Sequence, residues 1–354
     1  MAADAVPVVD LEPFRVADLA GEPLPASAIA TARIWRAAFE KYGIAQVVGH
    51  GVPDDVIEEA YKAARAFYSL PPGEKAKCDK GLGYGAGGYN GQGVERVSAT
   101  VSKPDGSALV GAENARPPDL VESMVMKRRP DDVFPDAVPG FRAATDRYYD
   151  ELVRLLRTMM RITACSFDLP LDTFEPHFFP EDGSPGGGLG GCVGNLSLRL
   201  AYYPARPADG PKPGQLRYGE HTDYTGYTIL WQDHNVSGPQ TAREGLVPPL
   251  GGLQAMMPDG SWADCPPVPG AFTVNSGDLI QVWTNDMYQS CLHRVLNPPE
   301  GDATDRISMA FFTGPSDETV VRCLPTCCSA DRPERYGPIT AREHLQRKLA
   351  ASNK

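Results

Sequence analysis

His221 and Asp223 stand two residues apart in Arg217-Tyr-Gly-Glu-His-Thr-Asp-Tyr-Thr-Gly-Tyr-Thr-Ile-Leu-Trp-Gln-Asp233, at the mouth of a run that alternates like a β-strand. Residues i and i+2 of an extended chain face the same side, so imidazole and carboxylate converge while Thr222 turns away. That is how a backbone presents two of the three ligands in a two-His, one-carboxylate face for non-haem Fe(II). Alone, His-x-Asp is a common pair on polar loops. His293, in Ser290-Cys-Leu-His-Arg-Val-Leu-Asn-Pro298, lies on another strand-like segment that a rolled sheet would bring beside the first pair. Of the other histidines, His50 sits between glycines in a turn, His177 in a helix-to-loop region, His234 in a polar loop and His344 in a C-terminal helix. Each reads as structural or solvated. Arg306 and Ser308 form a second i, i+2 pair, and a guanidinium fork flanked by a hydroxyl suits end-on capture of a carboxylate. Arg-x-Ser alone would be an exposed strand edge; joined to His-x-Asp and a downstream His, it becomes specific.

Around these residues the chain must supply a scaffold. Its 354 residues allow one large domain or two modest ones, with 42% apolar and 22% charged residues as in ordinary globular proteins. A formal net charge of −11 argues against nucleic acid or an anionic membrane surface as partner. No apolar run reaches transmembrane length, and the start lacks the basic and apolar regions of a signal peptide. The eight cysteines form no Cys-x-x-Cys pair, so they read as reduced thiols of a cytoplasmic protein and not as zinc ligands.

The first half reads as mixed and the second as β. A short strand at Val6-Pro-Val-Val-Asp-Leu11 precedes a helix over 27–42, with Trp35, Phe39 and Tyr42 on one face. A strand over 44–48 and a helix from Asp55 follow, with Glu58 placed for a capping box. Periodicity then disappears from 80 to 139, where the Gly-rich stretch 81–93 reads as a flexible loop and not as a phosphate cradle, with covering a site as the second reading. The longest helical pattern runs from 141 to 167. Beyond the Gly/Pro-rich 185–191, strand-like runs at 196–203, 227–232, 252–257, 271–275, 279–283, 291–296 and 307–313 suggest a sandwich or barrel. A last helix follows Thr340 and Glu343, a second possible capping box.

These motifs resemble the Fe(II)- and 2-oxoglutarate-dependent dioxygenase superfamily, in its isopenicillin N synthase-like branch. The N-terminal matches are Val6-Pro-Val-Val-Asp10, Tyr42-Gly-Ile44, Gly49-His-Gly-Val-Pro53 and Phe67-Tyr-Ser-Leu-Pro-Pro-Gly-Glu-Lys75. The C-terminal ones are Tyr202-Tyr-Pro204, Gly219-Glu-His-Thr-Asp-Tyr224, Gly251-Gly-Leu-Gln254, Val274-Asn-Ser-Gly-Asp278, Thr284-Asn285, His293-Arg-Val295 and Arg306-Ile-Ser-Met-Ala-Phe-Phe312. The resemblance implies an α+β fold, mainly β at its core: a double-stranded β-helix, or jelly roll, flanked by helices including one long helix. It implies His221, Asp223 and His293 as iron ligands, Arg306 and Ser308 as partners of the distal carboxylate of 2-oxoglutarate, and Tyr203 in support. Several plant relatives carry Asn two residues before that tyrosine, where this chain has Ala201.

The implied activity is oxidation of a small molecule by hydroxylation, desaturation or oxidative cyclisation, in specialised metabolism. Fe(II) is the cofactor, 2-oxoglutarate and O₂ are cosubstrates, succinate and CO₂ are released, and ascorbate is a supporting reductant. The carboxylate of Asp223 fills the position a halide would need, which excludes a halogenase. An Fe(II) oxidase that takes all its electrons from substrate is the runner-up, and a non-catalytic binding module the third reading. Expected organisation is an N-terminal dioxygenase module over 1–120, a connecting region with the long helix over 121–190, the jelly-roll core over 191–315 and a helical tail over 316–354. Tyr224, Tyr227 and Phe312 are pocket candidates by proximity to the ligands, and Tyr84 and Tyr89 as loop residues over the site. The segments 81–93, 102–118 and 235–250 are expected to shape the entrance. A monomer or weak homo-oligomer is expected, with no nucleic-acid or membrane partner.

Overall fold

The computed structural model describes residues 5–20, 23–81, 87–97, 116–179, 194–207, 209–233, 251–300, 302 and 304–352. The N-terminal half runs β1 (Val8–Asp10), α1 (Glu12–Arg15), α2 (Ala26–Lys41), β2 (Ile44–Val48), α3 (Asp54–Tyr68), α4 (Pro72–Ala76), β3 (Gly88–Asn90), β4 (Glu122–Met126), α5 (Phe141–Ser166) and α6 (Glu175–Phe178). Then come β5 (Ser197–Tyr203), β6 (Tyr218–His221), β7 (Tyr227–Gln232), β8 (Leu253–Met256), β9 (Trp262–Asp264), β10 (Phe272–Ser276), α7 (Asp278–Trp283), β11 (His293–Val295) and β12 (Arg306–Phe312). The chain closes with β13 (Val320–Val321), β14 (Ile339–Thr340) and α8 (Ala341–Ser352).

Eight strands form the main sheet in the order β1-β2-β10-β7-β12-β5-β4-β3, and four form a smaller one, β6-β11-β8-β9. Together they make the two walls of the jelly roll. The N-terminal strands are part of this wall, since β2 pairs antiparallel with β10. Period-two alternation decides what each wall does. On β5, β7 and β12, Leu198, Leu200, Ile229, Trp231, Met309 and Phe311 face outward into a core shared with α2, α3 and α5. The intervening residues face the other sheet, where Ala201 and Tyr203 meet Tyr218, Leu253, Ala255 and Val295. The long helix α5 serves the outer core: Tyr148, Leu152, Leu156 and Met159 are wholly buried. Fully burying an apolar side chain of this size contributes about 1.5–3 kcal/mol, so this seam anchors the sheet whose inner face carries the polar residues.

The structure corrects three expectations. The run over 279–283 is helix, not strand: α7 opens on Asp278 in its first turn and buries Leu279, Ile280, Val282 and Trp283. A short apolar run fits a buried helix as well as a buried strand. The capping box at Asp55 and Glu58 does not form; α3 begins after Pro53 with no side-chain cap. The box at Thr340 and Glu343 does form, with Glu343 N–H to Thr340 Oγ1 at 3.2 Å and Thr340 N–H to Glu343 Oε2 at 3.1 Å. Third, the aperiodic stretch holds β3 and β4, which extend the main sheet beyond β5. Tyr84, His234 and most of the three entrance segments lie outside the described residues.

Candidate active site

The site begins with a cross-strand pair. β11 runs antiparallel to β6 and sets His293 directly opposite His221. Their ring centroids lie 4.1 Å apart. Each ring is oriented by backbone: His221 Nδ1–H donates to the Gly219 carbonyl at 2.9 Å, and His293 Nδ1–H to the Cys291 carbonyl at 3.0 Å. These bonds fix the tautomer and turn both Nε2 atoms toward Asp223. The Asp223 Oδ1 lies 3.6 Å from His221 Nε2 and 3.9 Å from His293 Nε2. Its other oxygen, Oδ2, accepts from Asn275 Nδ2 at 2.6 Å and from the Thr228 hydroxyl. One atom from each residue is thus left facing the same point, and the three atoms lie within 4.8 Å of one another.

Electrostatics favours a neutral His221 and an ionised Asp223. Burial, with His293 beside it, drives the His221 imidazole well below its ordinary value and so keeps it neutral. Burial would raise the Asp223 carboxyl, but the two histidines and the bonds from Asn275 and Thr228 hold it below the usual carboxylate range. The loop carrying Asp223 is clamped from below by the start of α7. Gly277 N–H donates to the Gly226 carbonyl at 2.7 Å, Asp278 N–H to the Asp223 carbonyl at 2.9 Å and Leu279 N–H to the Thr225 carbonyl at 3.0 Å. A Cβ at Gly277 would come within 2.6–2.9 Å of the Gly226, Thr225 and Asp223 carbonyl oxygens, so the approach requires glycine.

Arg306 sits at the start of β12, opposite Tyr203 on β5, and Ser308 lies opposite Ala201 and Gln232. All three predicted carboxylate partners are buried: Arg306 is 4% exposed, Ser308 2% and Tyr203 3%. The Arg306 guanidinium lies 5.1 Å from the Tyr203 ring centroid and donates through Nη2 to Gln232 Oε1 at 2.9 Å. Its Nε and Nη1 have no hydrogen-bond partner among the described residues. An orphaned buried donor costs about 1–3 kcal/mol, more when charged, so this guanidinium is suited to meet an anion. Burial also pulls its pKa down, a strain that a carboxylate would relieve. Burial and Arg306 lower neighbouring Arg217 to about 10, while its Nη2 bonds the carbonyls of Pro204 and Thr304, the flanks of β5 and β12.

A cavity of about 340 Å³ opens beside His221 and Asp223, with Tyr224, Thr228 and Phe312 among its other walls. Tyr224 and Phe312 therefore face it. Tyr227 does not: it is wholly buried on the outer side of β7, edge-on to Trp35 and bonded through its hydroxyl to Thr163 Oγ1 at 2.8 Å. Alternation turns Thr228, not Tyr227, inward. Tyr89 is also a packing residue, edge-on to Phe67 with its hydroxyl on Glu122 Oε2 at 2.7 Å. Sequence reasoning misses Thr228, Asn275 and the Gly219 and Cys291 carbonyls; only Asn275 has a signal, its place in Val274-Asn-Ser-Gly-Asp278. Of the other histidines, His50 bridges Val52 N–H and the Gly270 carbonyl, and His177 packs on Trp283. His344 is buried beside Asp278.

Comparison with known proteins bears directly on this geometry. The 2OG-Fe(II) oxygenase superfamily model matches residues 194–315, and the N-terminal model of the non-haem dioxygenase in morphine synthesis matches 6–136. A 2-oxoglutarate-dependent dioxygenase of Didymella fabae is 30% identical over 78% of this chain and 77% of its own. The chain belongs to the 2OG-Fe(II) oxygenase superfamily. Another relative of this oxygenase, the 2-oxoglutarate-Fe(II) type oxidoreductase hxnY of Emericella nidulans, is 29% identical over 98% of this chain and 90% of its own. Among solved structures, a full-length Neurospora crassa protein in complex with alpha-KG and thymine superposes with a TM-score of 0.77 at 26% identity, covering 99% of this chain and 98% of that one. The protein is an oxidoreductase that uses Fe(II) and 2-oxoglutarate (alpha-KG) on a jelly-roll scaffold. No helix among the described residues is long and apolar enough to cross a membrane.

Proposed function

We propose that His221, Asp223 and His293 hold the Fe(II) of this oxygenase, that Arg306 with Ser308 and Tyr203 takes the distal carboxylate of 2-oxoglutarate, and that a small organic substrate occupies the 340 Å³ cavity. The observation that carries the reading is the convergence of three buried ligand atoms whose partner atoms are all tied off elsewhere. The donor set fits iron: two neutral imidazole nitrogens and one carboxylate oxygen on a single face leave positions open for exchangeable ligands. When bound, the iron and 2-oxoglutarate would, with O₂, supply an oxidant for substrate C–H bonds, with succinate and CO₂ as co-products. The chain's own residues position and exclude. Thr228 and Asn275 hold Asp223 so that one oxygen is presented, and Arg306 orients the cosubstrate by its far end. Ala201 faces Ser308 without a polar side chain, so the arginine and hydroxyl carry that end. The thymine held by the Neurospora crassa protein supports a substrate of this size.

The test is stoichiometry. In a turnover screen of small amines, amino acids, nucleobases and terpenoid acids, one succinate should form per product; product without succinate would return the runner-up oxidase. Arg306→Lys should retain the charge but lose the planar fork, raising the KM for 2-oxoglutarate by about tenfold. An unchanged KM would remove Arg306 from the cosubstrate site.

A further inference from the structure

The two strand ends that carry Gln232 and Arg306 are tied together by one arginine of the N-terminal half. Gln232 and Arg306 meet each other, Gln232 Oε1 accepting from Arg306 Nη2 at 2.9 Å. Their neighbours, Asp233 just after β7 and Asp305 just before β12, bond to α3 instead. Arg65 of α3 bridges the two, its Nη2 lying 2.8 Å from Asp233 Oδ2 and its Nη1 2.8 Å from Asp305 Oδ2. Its Nε donates to the Tyr61 hydroxyl at 2.9 Å, and that hydroxyl donates to Asp233 Oδ2 at 3.0 Å. All three guanidinium nitrogens are thus engaged. Tyr202 of β5 adds its hydroxyl to Asp305 Oδ2 at 3.1 Å. Burial would lower the Arg65 guanidinium, but the bonds to Asp305, Tyr61 and Asp233 outweigh it and raise it.

The bridge stands where the sheet runs out. Among the described residues the pairing of β12 with β7 ends at Ser308 opposite Gln232, with one further bond from Asp233 N–H to the Ile307 carbonyl at 3.2 Å. Arg306 lies beyond it, paired on the β5 side with Tyr203. On that side Arg217 Nη2 holds the carbonyls of Pro204 at 3.2 Å and Thr304 at 2.7 Å. Thr304 and Asp305, the two residues leading into Arg306, are therefore each gripped by an arginine, one tying them to β5 and one to β7. Spanning two carboxylates at a fixed separation suits a planar fork and not a single ammonium. The Asp233 side chain is 4% exposed and that of Arg65 25%, so solvent screens this pair less than it would one on the open surface. Asp223 precedes β7 and the bridge follows it, so the clamp and the metal-facing carboxylate lie at opposite ends of that strand.

We propose that Arg65 is a positioning residue for 2-oxoglutarate: by joining the ends of β7 and β12 it sets where Arg306 stands, so that a helix of the N-terminal half governs the affinity for the cosubstrate. This rests on the reading of Arg306 as the partner of the cosubstrate carboxylate. Arg65 acts through Arg306 and leaves the metal face as it is.

The experiment is anaerobic calorimetry on the full chain, reading Fe(II) affinity first and then 2-oxoglutarate affinity of the Fe(II)-loaded protein. The variants are Arg65→Met, Arg65→Lys, Arg306→Lys, and Arg65→Met combined with Arg306→Lys. Arg65→Met should weaken 2-oxoglutarate binding about tenfold while Fe(II) affinity changes by less than about twofold. Arg65→Lys, which reaches one carboxylate at a time, should fall between Arg65→Met and the unchanged protein. In the Arg306→Lys background, Arg65→Met should weaken 2-oxoglutarate by less than about threefold more, because the group it positions is already altered. A general loosening of the fold would instead add in full and weaken Fe(II) alongside. Should Arg65→Met fail to fold, as thermal melting would reveal, Asp305→Asn, which removes one of the two ion pairs, decides by the same readings. Unchanged 2-oxoglutarate affinity, full additivity with Arg306→Lys, or an equal loss of Fe(II) affinity overturns the inference. An Arg306→Lys protein that binds 2-oxoglutarate as the unchanged one does would overturn the site assignment instead.

Discussion

His221→Ala should abolish iron loading: anaerobic Fe(II) titration should show one site in the unchanged protein and at least about a 100-fold weaker one in the variant, with turnover lost. The expectation follows from the completeness of the arrangement. Each ligand's second polar atom is already bonded, to Gly219, to Cys291, or to Asn275 and Thr228, so no spare donor on these residues can take the vacated place. Among the described residues these three are the sole histidine, cysteine or acidic cluster with metal-binding convergence. Asn275→Ala is the graded companion. It frees Asp223 Oδ2 on one side and should weaken iron by about 10-fold while leaving the ligands in place. A His221→Ala protein that binds Fe(II) as tightly as the unchanged one would sink the assignment.

What the sequence makes legible depends on whether the signal is local. His221-x-Asp223 and Arg306-x-Ser308 can be read directly because strand parity acts within three residues. His293 is legible as a histidine on a strand, but the register that sets it opposite His221 is a pairing between distant segments. The groups orienting the histidines are main-chain carbonyls, which every residue possesses, so no side chain announces them. Tyr227 misleads because closeness in sequence to Asp223 says nothing about parity across the intervening turn. The outer aromatic seam with Trp35 and Phe39 claims it. The jelly roll itself comes from motif resemblance, since β2 joins β10 only through contacts more than 200 residues apart in the chain. The expected tail over 316–354 likewise carries no sign that Leu345 of α8 reaches the cavity.

That reach gives Lys348→Met a large expected effect on stability. Asp278 is fully buried at the first turn of α7, where its backbone N–H holds the Asp223 carbonyl and its Oδ1 accepts from Ser290 Oγ at 2.7 Å. Its Oδ2 lies 2.6 Å from Lys348 Nζ and 3.6 Å from His344 Nε2, both on α8 and both side chains 3% exposed. Burial would raise the Asp278 carboxyl, but His344 and Lys348 outweigh it and the group stays below the usual carboxylate range. Its folded pKa is therefore depressed, so the pair's stabilisation is present above the unfolded value and is lost as pH falls through the folded one. Removing the lysine at neutral pH leaves an uncompensated buried carboxylate, which costs about 3–5 kcal/mol. Denaturant unfolding should show that loss, and adding Asp278→Asn to Lys348→Met should recover part of it, because the charge left behind is then gone. A Lys348→Met protein within about 0.5 kcal/mol of the unchanged chain would mean the pair contributes nothing, the ordinary result for a surface change. The same ion pair joins α8 to the loop bearing Asp223, and the Lys348 ammonium lies 5.9 Å from the ring centroid of Tyr224 on the cavity wall. Loosening it should therefore also raise hydrogen exchange in 223–226 along with 341–348, coupling the C-terminal helix to the metal loop through a single buried carboxylate.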